Sequence, residues 1–176
     1  MQIILVAGRA RSGKTYVAHE LKNILESNNK KVIITEYSKY VKLFAKDIVG
    51  WDMISEPKPR TFLQELGNNL RGYYGECYFV NRMKEDILVY EKYADYLIIS
   101  DVRMPHEISE LEEFKPIKIK VINDYLKTDL SEEELAHITE HALDNYDNFD
   151  YILKNKNEKE IKEILENIVK EIELWI

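Results

Sequence analysis

The chain is poor in the residues that staple or interrupt a fold: one cysteine, four prolines and six glycines among 176 residues. The lone Cys77 cannot close an internal disulfide and fits a reducing compartment, so the expected location is cytoplasmic. No apolar run reaches the length of a membrane span. Residues 1–7 lack a basic start and are too short for a secretion signal, so they read as a strand. A basic surplus is missing too. The 25 Lys and Arg stand against 32 Asp and Glu, a net charge of −7, which argues against a nucleic-acid surface. It leaves room for an anionic small molecule, because a local group of Arg and Lys decides that. There is no internal repeat, low-complexity tract or inter-domain linker. With 45% hydrophobic and 32% charged residues, the chain reads as one globular domain over residues 1–176. The twelve tyrosines are many for this size, and no function follows from the number.

The most informative stretch lies near the start. Ile3-Ile4-Leu5-Val6-Ala7 is followed by Gly8-Arg9-Ala10-Arg11-Ser12-Gly13-Lys14-Thr15, and then by a helix-like segment from Tyr16 to Glu26. Gly, four residues, Gly-Lys-Thr between a strand and a helix is the spacing of a phosphate-binding loop. Such a loop turns its own N–H groups and those of the helix start toward a phosphate chain. Gly8 and Gly13 allow the backbone to bend and approach closely, and Arg11 and Ser12 lie within the turn. Lys14 would reach the β- and γ-phosphates of ATP, and the Thr15 hydroxyl would ligate Mg²⁺.

Strand and helix patterns alternate along the rest of the chain. Strands are expected at 1–7, 31–37, 96–101, 116–122 and 149–153. Lys118 and Lys120 should give the fourth of these one wetter face. Helices are expected at 16–27, 39–49, 61–70, 78–93, 106–113, about 131–138 and 158–175. Ser38 should cap the second, and Thr61, with Gln64 three residues later, the third. Gly72-Tyr73-Tyr74-Gly75 should break the third helix, and Trp51 lies in a loop, packed or stacked on a nucleobase. The pattern gives an α/β fold: a P-loop NTPase three-layer sandwich, with a five-stranded, mostly parallel sheet and helices on both faces. Ligands of such sheets bind beyond the carboxyl ends of the strands. Asp101 ends the third strand there, where a carboxylate can hold Mg²⁺ directly or through water.

Phosphoryl transfer needs planar cationic forks, which Arg supplies and Lys does not. The candidates are Arg9 and Arg11 in the loop, Arg60 and Arg71 along the third helix, and Arg103 after the third strand. Arg82 reads as a solvated surface cation.

Three further segments carry a resemblance. Pro59-Arg60-Thr61-Phe62-Leu63-Gln64-Glu65-Leu66-Gly67-Asn68-Asn69-Leu70-Arg71 is similar to the Arg-x-x-Leu-Gln-x-Leu-Gly…Arg segment of phage-type deoxynucleoside monophosphate kinases. Ile98-Ile99-Ser100-Asp101-Val102-Arg103-Met104-Pro105-His106-Glu107 resembles that family's strand and Asp-Val-Arg-Phe-Pro-Asn-Glu. His137-Ile138-Thr139-Glu140…Leu143-Asp144 resembles its His-x-Ser-Glu…Leu segment. With the phosphate loop, the segments follow the family's order over almost the whole chain.

The resemblance implies transfer of the ATP γ-phosphoryl to a (deoxy)nucleoside monophosphate, with Mg²⁺. It assigns Lys14 and Thr15 to ATP and metal, and Asp101 to the metal or to orienting the acceptor. Arg60, Arg71 and Arg103 would clamp the acceptor phosphate or the transferring group, and Gln64 would face the acceptor base. Ser38 to Lys42 would border an acceptor region spanning about 38–75, and a lid would lie at about 123–140. The sequence departs from the family at Met104 and His106. It also lacks an arginine in the lid, where Lys127, or Arg9 or Arg11 from the loop, would have to substitute. A homodimer face, if there is one, would lie on the helix at 78–93 or the last helix.

Three rivals remain at this point. The first is a GTPase-like switch: Asn155-Lys156-Asn157-Glu158 superficially resembles a guanine-reading Asn-Lys-x-Asp, but its fourth residue is Glu and the Gly expected after the metal acid is missing from Asp101-Val102-Arg103-Met104. A kinase of another small acceptor, such as phosphomevalonate, would share the fold. A nucleotide-binding regulatory protein is the third.

Overall fold

A computed structural model describes residues 1–55, 58–123, 136–155 and 158–174. Five strands, β1 (Gln2–Ala7), β2 (Val32–Thr35), β3 (Tyr96–Val102), β4 (Ile117–Ile122) and β5 (Tyr151–Lys154), form one sheet in the order β2-β3-β1-β4-β5. Every pairing is parallel. The helices are α1 (Lys14–Ser27), α2 (Ser38–Val49), α3 (Arg60–Tyr74), α4 (Tyr78–Tyr90), α5 (Pro105–Ser109) and α6 (Glu158–Leu174), with 3₁₀ turns at Glu112–Phe114 and Ile138–Glu140.

The continuous apolar runs of β1 and β3 follow from their central position, which buries both faces. Ile4, Val6 and Ile98 point into the layer shared with α1 and α6. Ile3, Leu5, Leu97 and Ile99 point the other way, into the layer under α2 and α4. Alternate residues of one strand therefore seed two separate cores. The apolar stripe of α6, Ile161, Leu165, Ile168 and Ile172, is buried in the first. Leaving β1 the chain crosses to β2 on one side, and leaving β3 it crosses past β1 to β4 on the other. The carboxyl ends of β1 and β3 thus flank the switch in strand order, where parallel sheets form their crevice.

Several local expectations are overturned by tertiary contacts. Ser38 does not cap α2 with its side chain. The N–H groups of Tyr37 and Ser38 donate instead to Asp101 of β3, so a carboxylate from another element has taken the capping role. Thr61 does not cap α3, which starts one residue earlier, at Arg60 after Pro59. Gly72 does not break α3 either; the helix runs on to Tyr74 and stops at Gly75, whose φ of 92° suits glycine. The wetter face expected of β4 is present only in part: Lys120 and Ile122 are half-buried, while Lys118 is buried, with its Nζ 3.1 Å from Glu112 Oε1. Lys120 donates to the Leu143 carbonyl at 2.8 Å. Trp51 donates to the Ser55 carbonyl at 3.1 Å within its own loop and is not part of the site. The helix expected at about 131–138 falls mostly outside the described residues, as does Lys127. No helix among the described residues is long and apolar enough to cross a membrane.

Because β3 is buried on both faces while β2 lies at the edge, Ile98→Ala should destabilise by about 2–5 kcal/mol and Ile33→Ala by less. Urea unfolding of the two variants measures the difference.

Candidate active site

The loop after β1 curls around two glycines that the fold requires. Gly8 has φ 149°, and a Cβ on it would lie 2.4 Å from the Val121 carbonyl oxygen. Gly13, at the N-terminus of α1, is left-handed at φ 98°, and a Cβ there would lie 2.1 Å from Asn155 Nδ2. That amide, from the loop after β5, donates to the Ser12 carbonyl at 3.0 Å. The Asn155 N–H donates to Ile122 at 2.7 Å. The asparagine that suggested a guanine reader thus braces the loop from behind.

Lys14 is buried, and its ammonium turns back on the loop, donating to the Gly8 carbonyl at 2.7 Å and to that of Arg9. Burial, helped by the nearby Arg103 charge, lowers its pKa to about 7. Ser12 Oγ is the one buried side-chain polar atom without a hydrogen-bond partner among the described residues, the state expected of a group completed by a ligand.

Beside the loop, Asp101 accepts the Tyr37 N–H at 2.7 Å on one oxygen and the Ser38 N–H at 2.9 Å on the other. Each oxygen keeps a lone pair, and the carboxylate lines the same cavity as Lys14 and Thr15. Glu107 accepts the N–H groups of Arg103 and Met104 at 2.7 and 3.0 Å, and burial raises its pKa to about 7. Tyr37 Oη closes the corner on the Glu107 carbonyl at 2.9 Å.

The segment before β5 enters the site from the far side. Glu140 is buried; one oxygen accepts the Ala10 N–H of the phosphate loop at 2.7 Å and the other pairs with Arg103. Arg9 makes a two-point pair with Asp144, at 2.6 and 3.2 Å, and does not line the cavity. Of the two loop arginines considered as substitutes for a lid arginine, Arg11 lines the cavity and Arg9 does not; the third substitute, Lys127, lies outside the described residues. Arg71 donates to Asn68 at 2.7 Å, and the Asn68 amide lies 3.3 Å from His137 Nε2, so the same segment also touches α3.

These elements enclose a cavity of about 430 Å³. Gly8 and Ser12 build the loop beneath it and Arg9 is drawn to Asp144, whereas Arg11, Gly13, Lys14, Thr15, Ser38, Lys42, Arg60, Gln64, Arg71, Asp101 and Arg103 line it. The lining also includes the apolar side chains of Val41, Leu63 and Phe79, with the Arg71 guanidinium 5.5 Å from the Phe79 ring centre. Sequence reasoning missed Glu36, Lys58, Glu107 and Glu140. Lys42 pairs with Glu36. Burial lowers the pKa of Lys58, and so do the charges of Lys42, Arg60 and Arg103. That crowding of cations is what an anion would relieve. A lysine between two prolines carries no periodic signal, whereas Glu140 lay in a segment already noted for its resemblance.

The comparisons agree with this architecture. The family profile described as Deoxynucleotide monophosphate kinase matches residues 18–168. The chain belongs to the deoxynucleotide monophosphate kinase family. It is a nucleotide kinase, moving the ATP γ-phosphoryl to a (deoxy)nucleoside monophosphate. Its fold resembles shikimate kinase from Bacteroides thetaiotaomicron, with TM-score 0.52, 12% identity and 98% of each chain covered. Shikimate kinase from Aquifex aeolicus gives TM-score 0.54 and 15% identity, over 98% of this chain and 96% of the other. At such identities the likeness establishes the P-loop kinase fold. No curated protein matches this kinase in sequence.

Lys14 titrates near 7 when folded and near 10.5 when unfolded, so stability of the unliganded kinase should rise with pH across that window. A bound triphosphate favours the charged amine. ATP binding at pH 8 should therefore take up protons, and Lys14→Met should abolish that uptake; calorimetry in buffers of different ionisation enthalpy measures it. Glu140→Gln keeps an acceptor for Ala10 but loses the charge facing Arg103, and should lower kcat by about 10²-fold in a turnover assay.

Proposed function

We propose that donor and acceptor lie end to end in the cavity, with the ATP triphosphate on the loop 8–15 and the acceptor phosphate under Arg60, Arg71 and Arg103. The observation that carries this reading is the cavity itself. Its lining combines the phosphate loop, those arginines and Lys58 with the apolar Val41, Leu63 and Phe79. That combination matches a nucleoside monophosphate, whose phosphate and base need opposite surroundings.

Lys14 leaves the loop carbonyls and turns to the β- and γ-phosphates. Gly13, Lys14 and Thr15 present the start of α1 to the phosphates. Mg²⁺ supplies neutralisation of the charge shared by the transferring phosphates, and Thr15 and Asp101 are the residues that would hold it. No group of three or more His, Cys, Asp or Glu suited to a metal occurs among the described residues. A hydroxyl and a carboxylate beside a phosphate loop suit an ion that completes its shell with phosphates and water. Arg103, held by Glu140, and Arg60 orient the acceptor phosphate in line with the transferring group. The acceptor oxygen is already anionic, so no strong general base is required. Ser38 and Lys42 border the acceptor, and Gln64 presents an amide to its base. The lid expected at about 123–140 lies mostly outside the described residues. The single cysteine supports a cytoplasmic setting.

The deciding experiment follows ADP release from Mg·ATP against nucleoside and deoxynucleoside monophosphates, with phosphomevalonate included. Turnover on deoxynucleoside monophosphates is expected; turnover on phosphomevalonate alone would move the acceptor class. Lys14→Ala should reduce kcat by about 10²–10³-fold or more with the fold retained. Arg60→Ala should raise the KM of the acceptor more than that of ATP.

A further inference from the structure

The face of α3 turned to the cavity carries Arg60, Leu63, Gln64, Gly67 and Arg71, one stripe at helical spacing. Four of these have side chains that suit a nucleotide. The one in the middle has none. Glycine inside a helix is unfavourable by about 1 kcal/mol relative to alanine, so it calls for a reason. The loop glycines have theirs in a positive φ and in close neighbours at 2.4 and 2.1 Å. Gly67 has neither. It is helical, and a Cβ on it would meet nothing nearer than the Arg71 guanidinium nitrogens at 3.8 Å and Val41 Cγ2 at 3.9 Å, which is ordinary contact. The protein's own packing would accept alanine. Yet Gly67 is buried and lines the cavity between Val41, Leu63 and Gln64.

We propose that Gly67 is a specificity-determining residue: once Arg71, whose guanidinium lies over this position, swings to the acceptor phosphate, the acceptor's base lies flat against the helix backbone it uncovers, where a methyl group would fill its place. The proposal rests on the nucleotide reading of the cavity given above. Around that position Val41 and Leu63 supply apolar edges and the Gln64 amide supplies a polar one, the mixture a planar heterocycle needs. Gly72 is the internal control. It lies on the same helix and also has open space where a Cβ would go, but it is exposed and outside the cavity.

The test compares Gly67→Ala and Gly72→Ala in the whole chain. Both should fold and melt no lower than the wild type. Gly67→Ala should raise the KM of a deoxynucleoside monophosphate by about tenfold or more, with ATP affinity unchanged. The inhibition constant of 2-deoxyribose 5-phosphate, which has no base, should stay the same, and Gly72→Ala should alter none of these. An unchanged acceptor KM in Gly67→Ala would overturn the proposal. So would equal losses for the nucleotide and the base-less sugar phosphate. If the wild type transfers phosphate to no nucleoside monophosphate, the functional reading fails on its own. Equilibrium binding of the same two probes then decides the role of Gly67: selective weakening of the nucleotide upholds it, and an unchanged ratio overturns it. Should Gly67→Ala fail to fold, the structure's claim that this Cβ fits is wrong, and the argument falls with it.

Discussion

Carboxylates hold the backbone of this site in place. Asp101 accepts the two N–H groups that begin α2. Glu107 accepts the two that lead into α5, and Glu140 accepts one from the phosphate loop. In each case the acid lies in a different element from the first residue it holds, or several positions along the chain from it. Orphan N–H groups at helix starts and turns are costly to bury unpaired and attract negative charge. The acids satisfy them and, in doing so, fix where β3, α2, α5 and the segment before β5 meet. Loss of one should be felt both as stability and as geometry, which is why a conservative Gln is the informative replacement at Glu140.

The charge pattern follows the same logic on a larger scale. The chain is acidic overall, yet its cavity gathers Lys14, Lys42, Lys58, Arg60, Arg71 and Arg103. Glu36 and Glu140 offset part of this through pairs with Lys42 and Arg103. Burial first, and then what remains of this positive charge, lowers the pKa values of Lys14 and Lys58. An incoming phosphate is thus favoured twice: it is attracted by the cations, and it removes their mutual repulsion.

Much of this was legible in the sequence because it depends on short-range rules. Gly8 to Thr15 announce a phosphate loop by spacing alone, and the runs around Ile4 and Ile98 announce buried parallel strands. What was misread depended on partners distant in sequence. Ser38 has the chemistry of a cap, but Asp101, 63 positions later, reaches the helix start. Lys118 alternates like a residue facing water, but it is buried, and Glu112 pairs with it. Glu140 gave no local signal of its role, since an acid in an acidic stretch looks solvated until the fold brings Ala10 and Arg103 to it. Arg9 and Arg11 were equivalent by position; the pair with Asp144 separates them.

The brace between Asn155 and the turn at Ser12 and Gly13 has a consequence for how the protein comes to be made. The loop is synthesised well before the amide that supports it, which follows β5, 143 positions later. During synthesis from the N-terminus, β1 and α1 emerge long before β5 can add to the edge of the sheet. The nascent chain therefore carries a phosphate loop that lacks its backing until those 143 positions have been made. Full support arrives only when the fifth strand docks, so completion of the sheet and readiness for ATP coincide.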